Sequence, residues 1–260
     1  MDVCWTLSDN MPPLARDRLQ VWRINLGIGN TVSSDIQFLL HQAYAVLTAA
    51  ERERAARMRV GGPREEFIAG RGCLRRLLGG TLDLDPRTLI LETGSHGKPF
   101  LRPNLGGTAP DFNVAHSHGV ILIALSTVCA IGVDVEYVDP ELEFHDIART
   151  AFHADDLARL QRAPTPDEGL NAFYRCWTRK EAVAKADGRG LSLEPTSFAA
   201  GTDSDDEQKV VIPYSPDPIV FYVRSLPVGK SHYAALATAG PGVSASCYEL
   251  SPQSPLLFAE

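Results

Sequence analysis

The sequence predicts an α+β protein built from two similar halves, and three observations carry that expectation. Helical patterns give way to short apolar strand patterns in both halves of the chain, without an exact repeat. At 260 residues and 44% hydrophobic, the chain can bury a large core and falls where one large domain or two smaller ones form. Charge is divided unequally: residues 1–123 carry 14 Lys+Arg against 12 Asp+Glu and residues 124–260 carry 11 against 20, so the halves stand at +2 and −9 within a net −7. The expected division is therefore an N-terminal half, 1–123, and a C-terminal half, 124–260.

In chain order, Leu19 to Leu26 alternates well enough to read as a strand. Thr48 to Glu51 has the form of a capping box, and Ala49 to Arg59 continues as a strong helix former until Gly61, Gly62 and Pro63 stop it. A second helix, Arg64 to Leu78, carries Arg64, Arg71 and Arg75 along one edge. The stretch Arg52 to Arg76 holds eight arginines against three acids. A solvated helix face has such a composition, and so does a site for a polyanion, because guanidinium forks suit phosphate oxygens. From Leu89 short strands and turns take over. Gly94 to Phe100, GSHGKPF, is a turn that presents Lys98, and Phe112 to His118, FNVAHSH, leads into a buried strand at Val120 to Leu125. His116 and His118 resemble a metal pair but lack a third ligand in reach.

In the strand Ala130 to Glu136, AIGVDVE, side chains alternate, so Asp134 and Glu136 project from one face and Val133 and Val135 from the other. Gly132 lies on the carboxylates' face and is expected to leave room for a bulky ligand. A helix over Leu142 to Ala151 and a short acidic helix start over Phe152 to Leu160 follow. The longest helix is announced by Thr165, Pro166 and Glu168 and stopped by Gly188 and Gly190. On it Trp177, Glu181 and Lys185 fall at i, i+4 and i+8, so an aromatic ring, a carboxylate and an ammonium share one side. The tail is expected to form an antiparallel meander through Val210 to Ile212, Ile219 to Val223, Ala234 to Ala239 and Ala245 to Leu250. No run approaches the ~20 apolar residues of a membrane span, the start MDVCWTLSDN lacks the pattern of a signal peptide, and five scattered cysteines predict a reduced cytoplasm without a disulfide framework.

The combination of IGVDVE with FYRCWTRKEAVAKADGRGLSLEPTSF, about forty residues further on, resembles the Sfp-type 4′-phosphopantetheinyl transferases. That family's pattern is a G-[IV]-D-[IV]-E strand, a W-x-x-K-E-x-x-x-K helix and a G-x-G-L end, and every named position is met. FNVAHSH and the GKPF turn match its upstream motifs, so the resemblance spans most of residues 45 to 200.

The resemblance implies a pseudo-dimeric α+β fold with the active site in the cleft between its halves. It implies transfer of 4′-phosphopantetheine from coenzyme A to a serine of an apo acyl or peptidyl carrier protein, with magnesium as cofactor and adenosine 3′,5′-bisphosphate as the other product. Carried over position by position, Asp134, Glu136 and Glu181 are the expected metal ligands and Lys185 the pyrophosphate contact. Lys98 and His116 meet the coenzyme, with His116 near its 3′-phosphate, joined by Arg64 or Arg71. Glu181, Asp156 or a metal-bound water is the expected proton acceptor. Three carboxylates with phosphate oxygens suit magnesium, a hard octahedral ion, better than zinc. Ala115 stands where the family often has serine and Asp156 where many members have glutamate, which touches the coenzyme contacts and the base rather than the reaction class. The expected enzyme is cytoplasmic and monomeric, with neither nucleic acid nor membrane as a partner. A magnesium-dependent phosphohydrolase and a non-catalytic carrier-protein or coenzyme-binding module remain as alternatives.

Overall fold

The computed structural model describes residues 4–8, 10–14, 18–27, 33–102, 109–214 and 216–257, with the side chain of Leu191 outside the description. Within them two sheets face each other. The first has five strands in the order β1 (Trp5–Leu7), β11 (Ser244–Glu249), β2 (Arg18–Asn25), β6 (Val120–Ser126) and β5 (Asp111–Ser117). The second has four, β7 (Ile131–Tyr137), β10 (His232–Thr238), β9 (Ile219–Ser225) and β8 (Gln208–Ile212). A small hairpin joins β3 (Leu91–Thr93) to β4 (Pro99–Leu101). The helices are α1 (Ser34–Ala45), α2 (Ala49–Arg57), α3 (Gly62–Leu82), α4 (Phe144–Ala151), α5 (Ala154–Leu160) and α6 (Pro166–Asp187). No helix among the described residues is long and apolar enough to cross a membrane.

Side-chain alternation builds the layers. In β6, Val120, Leu122 and Ala124 meet Val133, Val135, Ala234 and Leu236 of the second sheet in one apolar cluster. Ile121, Ile123 and Leu125 point the other way and join Leu74, Leu77 and Leu78 of α3. A strand covered on both faces reads as an unbroken apolar run, which is why VILIALS shows no period of two. On the second sheet Val223, Ala235 and Ala237 pack against Phe173, Cys176, Ala182 and Val183 of α6. Phe173 also stacks on Phe152 and meets Phe144 at a tilt, with ring centroids at 5.4 and 5.2 Å. The small residues of β10 let that helix lie close.

Helix boundaries follow the caps. Thr48 and Glu51 form a complete capping box at the start of α2. Thr165 accepts from the Glu168 N–H at the start of α6, which Gly188 ends with φ 84°. The Gly61–Gly62–Pro63 run does more than stop a helix, since α2 ends at Arg57 and α3 begins at Gly62 with Pro63 in its first turn.

The tail departs from the expected four-stranded meander. β8, β9 and β10 form an antiparallel meander, but β11 leaves it and pairs in parallel with β2 and with β1 in the first sheet. A boundary after residue 123 falls inside β6, and the C-terminal strand belongs to the N-terminal sheet. The two halves are thus interlocked by the end of the chain.

The seam where the sheets' edges meet is closed by side chains. β7 and β5 are both edge strands. Backbone N–H groups of Ile131, Val133 and Tyr137 donate to Asp111 Oδ2 at 2.8 Å, Asn113 Oδ1 at 2.9 Å and Ser117 Oγ at 3.0 Å. Positions 111, 113 and 117 share one face of β5, so their side chains substitute for a missing strand partner and leave the edge less open to pairing with another chain. Ala115, on the same face, is buried in the inter-sheet core, so its side chain does not supply a coenzyme contact.

Gly132 does not leave room for a ligand. A Cβ there would stand 2.0 Å from Ala182 O and 2.4 Å from Ala186 N, so the missing side chain admits the backbone of α6. Gly132→Ala is expected to push α6 off β7 and to cost about 1–3 kcal/mol or more of stability, the scale of core overpacking, read as a lowered denaturant midpoint at unchanged m-value.

Candidate active site

Helix α6 lies across β7 on the carboxylates' face, and the contact is electrostatic at its solvent end. Asp134 is 3% exposed, and its Oδ1 accepts from Lys185 Nζ at 2.6 Å. Its other oxygen is buried without a hydrogen-bond partner. Burial pushes the Asp134 carboxyl up to about 7; Lys185 pulls it down, and the nearby charges of Glu136 and Glu181 push it further up. Glu136 accepts from Ser117 Oγ at 3.1 Å. Burial raises the Glu136 carboxyl too, against the opposing pull of Ser117, Lys185 and the Trp177 indole. The face that carries Trp177, Glu181 and Lys185 therefore meets the face that carries Asp134 and Glu136.

Glu181 and Lys185 line a cleft of about 350 Å³ together with Lys98, Asn113, Lys180 and Gly188. The GKPF turn closes one side of it. Lys98 Nζ donates to Asp111 Oδ2 and to the Ile131 carbonyl, both at 3.0 Å, which holds its ammonium at the seam of the two sheets. The end of α6 rests against that turn, where a Cβ on Gly190 would come within 3.2 Å of the His96 carbonyl.

A second cavity, about 280 Å³, opens beside the first and shares Gly97, Pro99 and Val114 with it. Its polar lining is Arg54, Arg71, Glu66, Thr93 and His116. Of the two arginines left open by the sequence, Arg71 lines this cavity and Arg64 does not. Arg71 lies 3.6 Å from Glu51, which also grips Arg75 through both carboxylate oxygens. The capping-box glutamate thus has a second duty as an arginine anchor. Arg54, its guanidinium 4.9 Å from the Phe67 ring centre, is a member of the site that motif reading missed, as are Glu66 and Ser117. The arginine-rich run pointed to Arg54 without singling it out.

Asp156 is not in the cleft. It is fully buried, accepts from the N–H groups of Ala200 at 3.1 Å and Gly201 at 3.0 Å, and pairs with Lys180 Nζ at 3.2 Å. These bonds fasten α5 to α6 and to the loop after it, a structural duty rather than the place of a proton acceptor in the cleft.

The site's acids bear on a metal in two ways. The orphaned Oδ2 of Asp134, with Glu136 and Glu181 close enough to raise its pKa, is a donor set that a hard divalent cation satisfies. Among the described residues, however, no three His, Cys, Asp or Glu side chains converge into a ready-made cage, and Lys185 supplies the positive charge instead.

Comparison with known proteins defines the class. Residues 130–237, which contain β7 and α6 and all of β10 but its last residue, match the model of the 4′-phosphopantetheinyl transferase superfamily. The chain is 34% identical over 187 residues to the 4′-phosphopantetheinyl transferase HetI of Nostoc sp. (strain PCC 7120), covering 72% of this chain and 76% of that one. It is 33% identical over 168 residues to the 4′-phosphopantetheinyl transferase AcpT of Escherichia coli (strain K12), covering 65% and 74%. With the 4′-phosphopantetheinyl transferase Sfp of Bacillus subtilis (strain 168) it shares 28% identity over 198 residues, covering 75% and 83%. The protein belongs to the 4′-phosphopantetheinyl transferase family.

Proposed function

We propose that the protein transfers the 4′-phosphopantetheine arm of coenzyme A to a serine hydroxyl of an apo acyl or peptidyl carrier protein. The observation that carries this reading is the continuity of the two cavities. A basic pocket with Arg54, Arg71 and His116 runs into a cleft with Lys98, Lys185 and Glu181, which matches a ligand bearing a phosphate monoester at one end and a pyrophosphate further along.

In the reaction the serine oxygen attacks the phosphorus that bears the pantetheine arm. A P–O bond to that oxygen forms, the bond to the second phosphate breaks, and adenosine 3′,5′-bisphosphate leaves. Such a transfer needs charge neutralisation and alignment more than covalent help. Lys185 and Lys98 supply fixed positive charge beside the pyrophosphate. Magnesium, for which Asp134, Glu136 and Glu181 are the residues that fit, would supply further charge neutralisation when bound. The serine proton needs an acceptor, and among this chain's own residues that line the cleft Glu181, a half-buried carboxylate, is the candidate. The same reading makes the enzyme a cytoplasmic monomer.

The test is to incubate the protein with coenzyme A and magnesium, with and without an apo carrier, and to weigh the products. Transfer adds about 340 Da to the carrier, the mass of the phosphopantetheine arm. Coenzyme A cleaved without a gain on the carrier would mean a phosphohydrolase, and both molecules bound unchanged would mean a non-catalytic module.

A further inference from the structure

We propose that Glu66 is a positioning residue for His116, fixing the ring so that its second nitrogen serves a phosphate monoester in the basic cavity; the inference rests on the coenzyme reading above. Glu66 projects from α3 and is 7% exposed between that helix and the β5–β6 hairpin. Its Oε2 stands 2.8 Å from His116 Nδ1, and its Oε1 accepts from the Gly119 N–H at 2.6 Å. Burial raises the Glu66 carboxyl, but the bonds from His116 and Gly119 outweigh it and hold the group below the usual carboxylate range.

The second of those bonds anchors the first. His118 and Gly119 have φ 44° and 82° and make a two-residue turn between β5 and β6. That turn is pinned, because Leu26 N donates to Gly119 O at 2.7 Å and a Cβ on Gly119 would come within 2.3 Å of Gly27 O. One carboxylate therefore ties the imidazole to a fixed point of backbone. An ionised carboxylate only accepts, so Nδ1 is the donor and Nε2 is the nitrogen left for the cavity. His116 lines that cavity with Arg54 and Arg71, its side chain 43% exposed. The dianion of a phosphate monoester also only accepts, so a ring that serves it must donate from Nε2 as well as Nδ1, with Glu66 behind it as the counter-charge.

A carboxylate that merely fastened the hairpin would have no bearing on which phosphate the cavity prefers, and this separates the two roles. Glu66→Gln keeps the shape and an acceptor for Gly119 while removing the charge. Titration calorimetry with adenosine 3′,5′-bisphosphate and with adenosine 5′-monophosphate gives the readout. The expected result is a loss of roughly tenfold or more in bisphosphate affinity, monophosphate affinity unchanged, and little further loss when Glu66→Gln is added to His116→Ala. Equal losses for both nucleotides, an unchanged bisphosphate affinity, or losses that add to those of His116→Ala would overturn the proposal. NMR of the His116 ring nitrogens in the unmodified protein is independent of the variant's folding: a protonated Nδ1 supports the assignment and a bare Nδ1 overturns it. A wild-type protein without preference for the bisphosphate would remove the coenzyme reading of the cavity and the role of Glu66 with it. A preference without transfer to a carrier would leave Glu66 in place and remove only the reaction.

Discussion

Replacing Asp134 with asparagine is expected to lower transfer by roughly 10²–10³-fold, the scale of losing one electrostatic element of an active site, while leaving the metal-free protein at least as heat-stable at pH 8. The two halves of this expectation have one cause. Asp134 is buried, keeps one oxygen unpaired and lies beside two further acids, an arrangement that disfavours its charge in the fold. Its carboxyl, ordinarily near 3.8, is pushed up to about 7. The folded protein therefore binds this proton more tightly than the unfolded chain, and stability from this group is lost as pH rises from about 3.8 to about 7. Asparagine does not ionise and loses nothing over that window. Lys185 would lose its partner, but its side chain is 29% exposed and reaches water. Melting curves without metal at pH 5 and pH 8, with transfer assays at saturating coenzyme A, check both halves. The melting advantage of the variant should be present at pH 8 and shrink at pH 5. A much lower melting temperature at pH 8 with transfer retained would make the acid structural.

How much of this was legible in the sequence depends on how local each cause is. The caps of α2 and α6 are set by residues within one turn, and Thr48, Glu51, Thr165 and Gly188 act as their types predict. Period-two alternation placed Asp134 and Glu136 on one face of β7, and helical spacing placed Glu181 and Lys185 on one side of α6. That those faces meet is a tertiary fact that only the family pattern anticipated. Gly132 shows the limit: the absence of a side chain announces a close neighbour but not whether the neighbour is a ligand or, as here, the backbone of a helix. The strand pattern of β11 was readable, but its partner β2 lies over 200 residues away and pairs in parallel, which periodicity does not reveal. Helix α1 was missed although Ser33 caps it, because its buried residues Ile36, Leu39 and Ala43 are too few to mark a stripe. Arg64 and Arg71 sit seven residues apart on one face of α3, so periodicity could not separate them; of the two, Arg71 lines the basic cavity.

Asp156→Asn is expected to act on stability and hardly on chemistry. Lys180, whose side chain is 4% exposed, lies 3.2 Å from the Asp156 carboxylate and 4.4 Å from the centre of the Phe198 ring. Removing the negative charge leaves a buried ammonium with the carbonyl of Pro195 at 3.0 Å and that of Phe198, but without a counter-ion. Asparagine also has one acceptor oxygen where two N–H groups, of Ala200 and Gly201, require one each, so its amide would face a donor. Breaking a buried pair by removing one partner costs about 3–5 kcal/mol, which in a chain of this size lowers the melting temperature by roughly 6–20 °C. Asp156→Glu keeps the charge but adds a methylene to a fully buried site, and is expected to cost about 1–3 kcal/mol by overpacking. Measured well below the variant's melting temperature with saturating carrier, the maximal rate per folded molecule of Asp156→Asn should stay within a few-fold of wild type. A rate lowered by roughly 10²-fold with an unchanged melting temperature would instead return Asp156 to the reaction as its base.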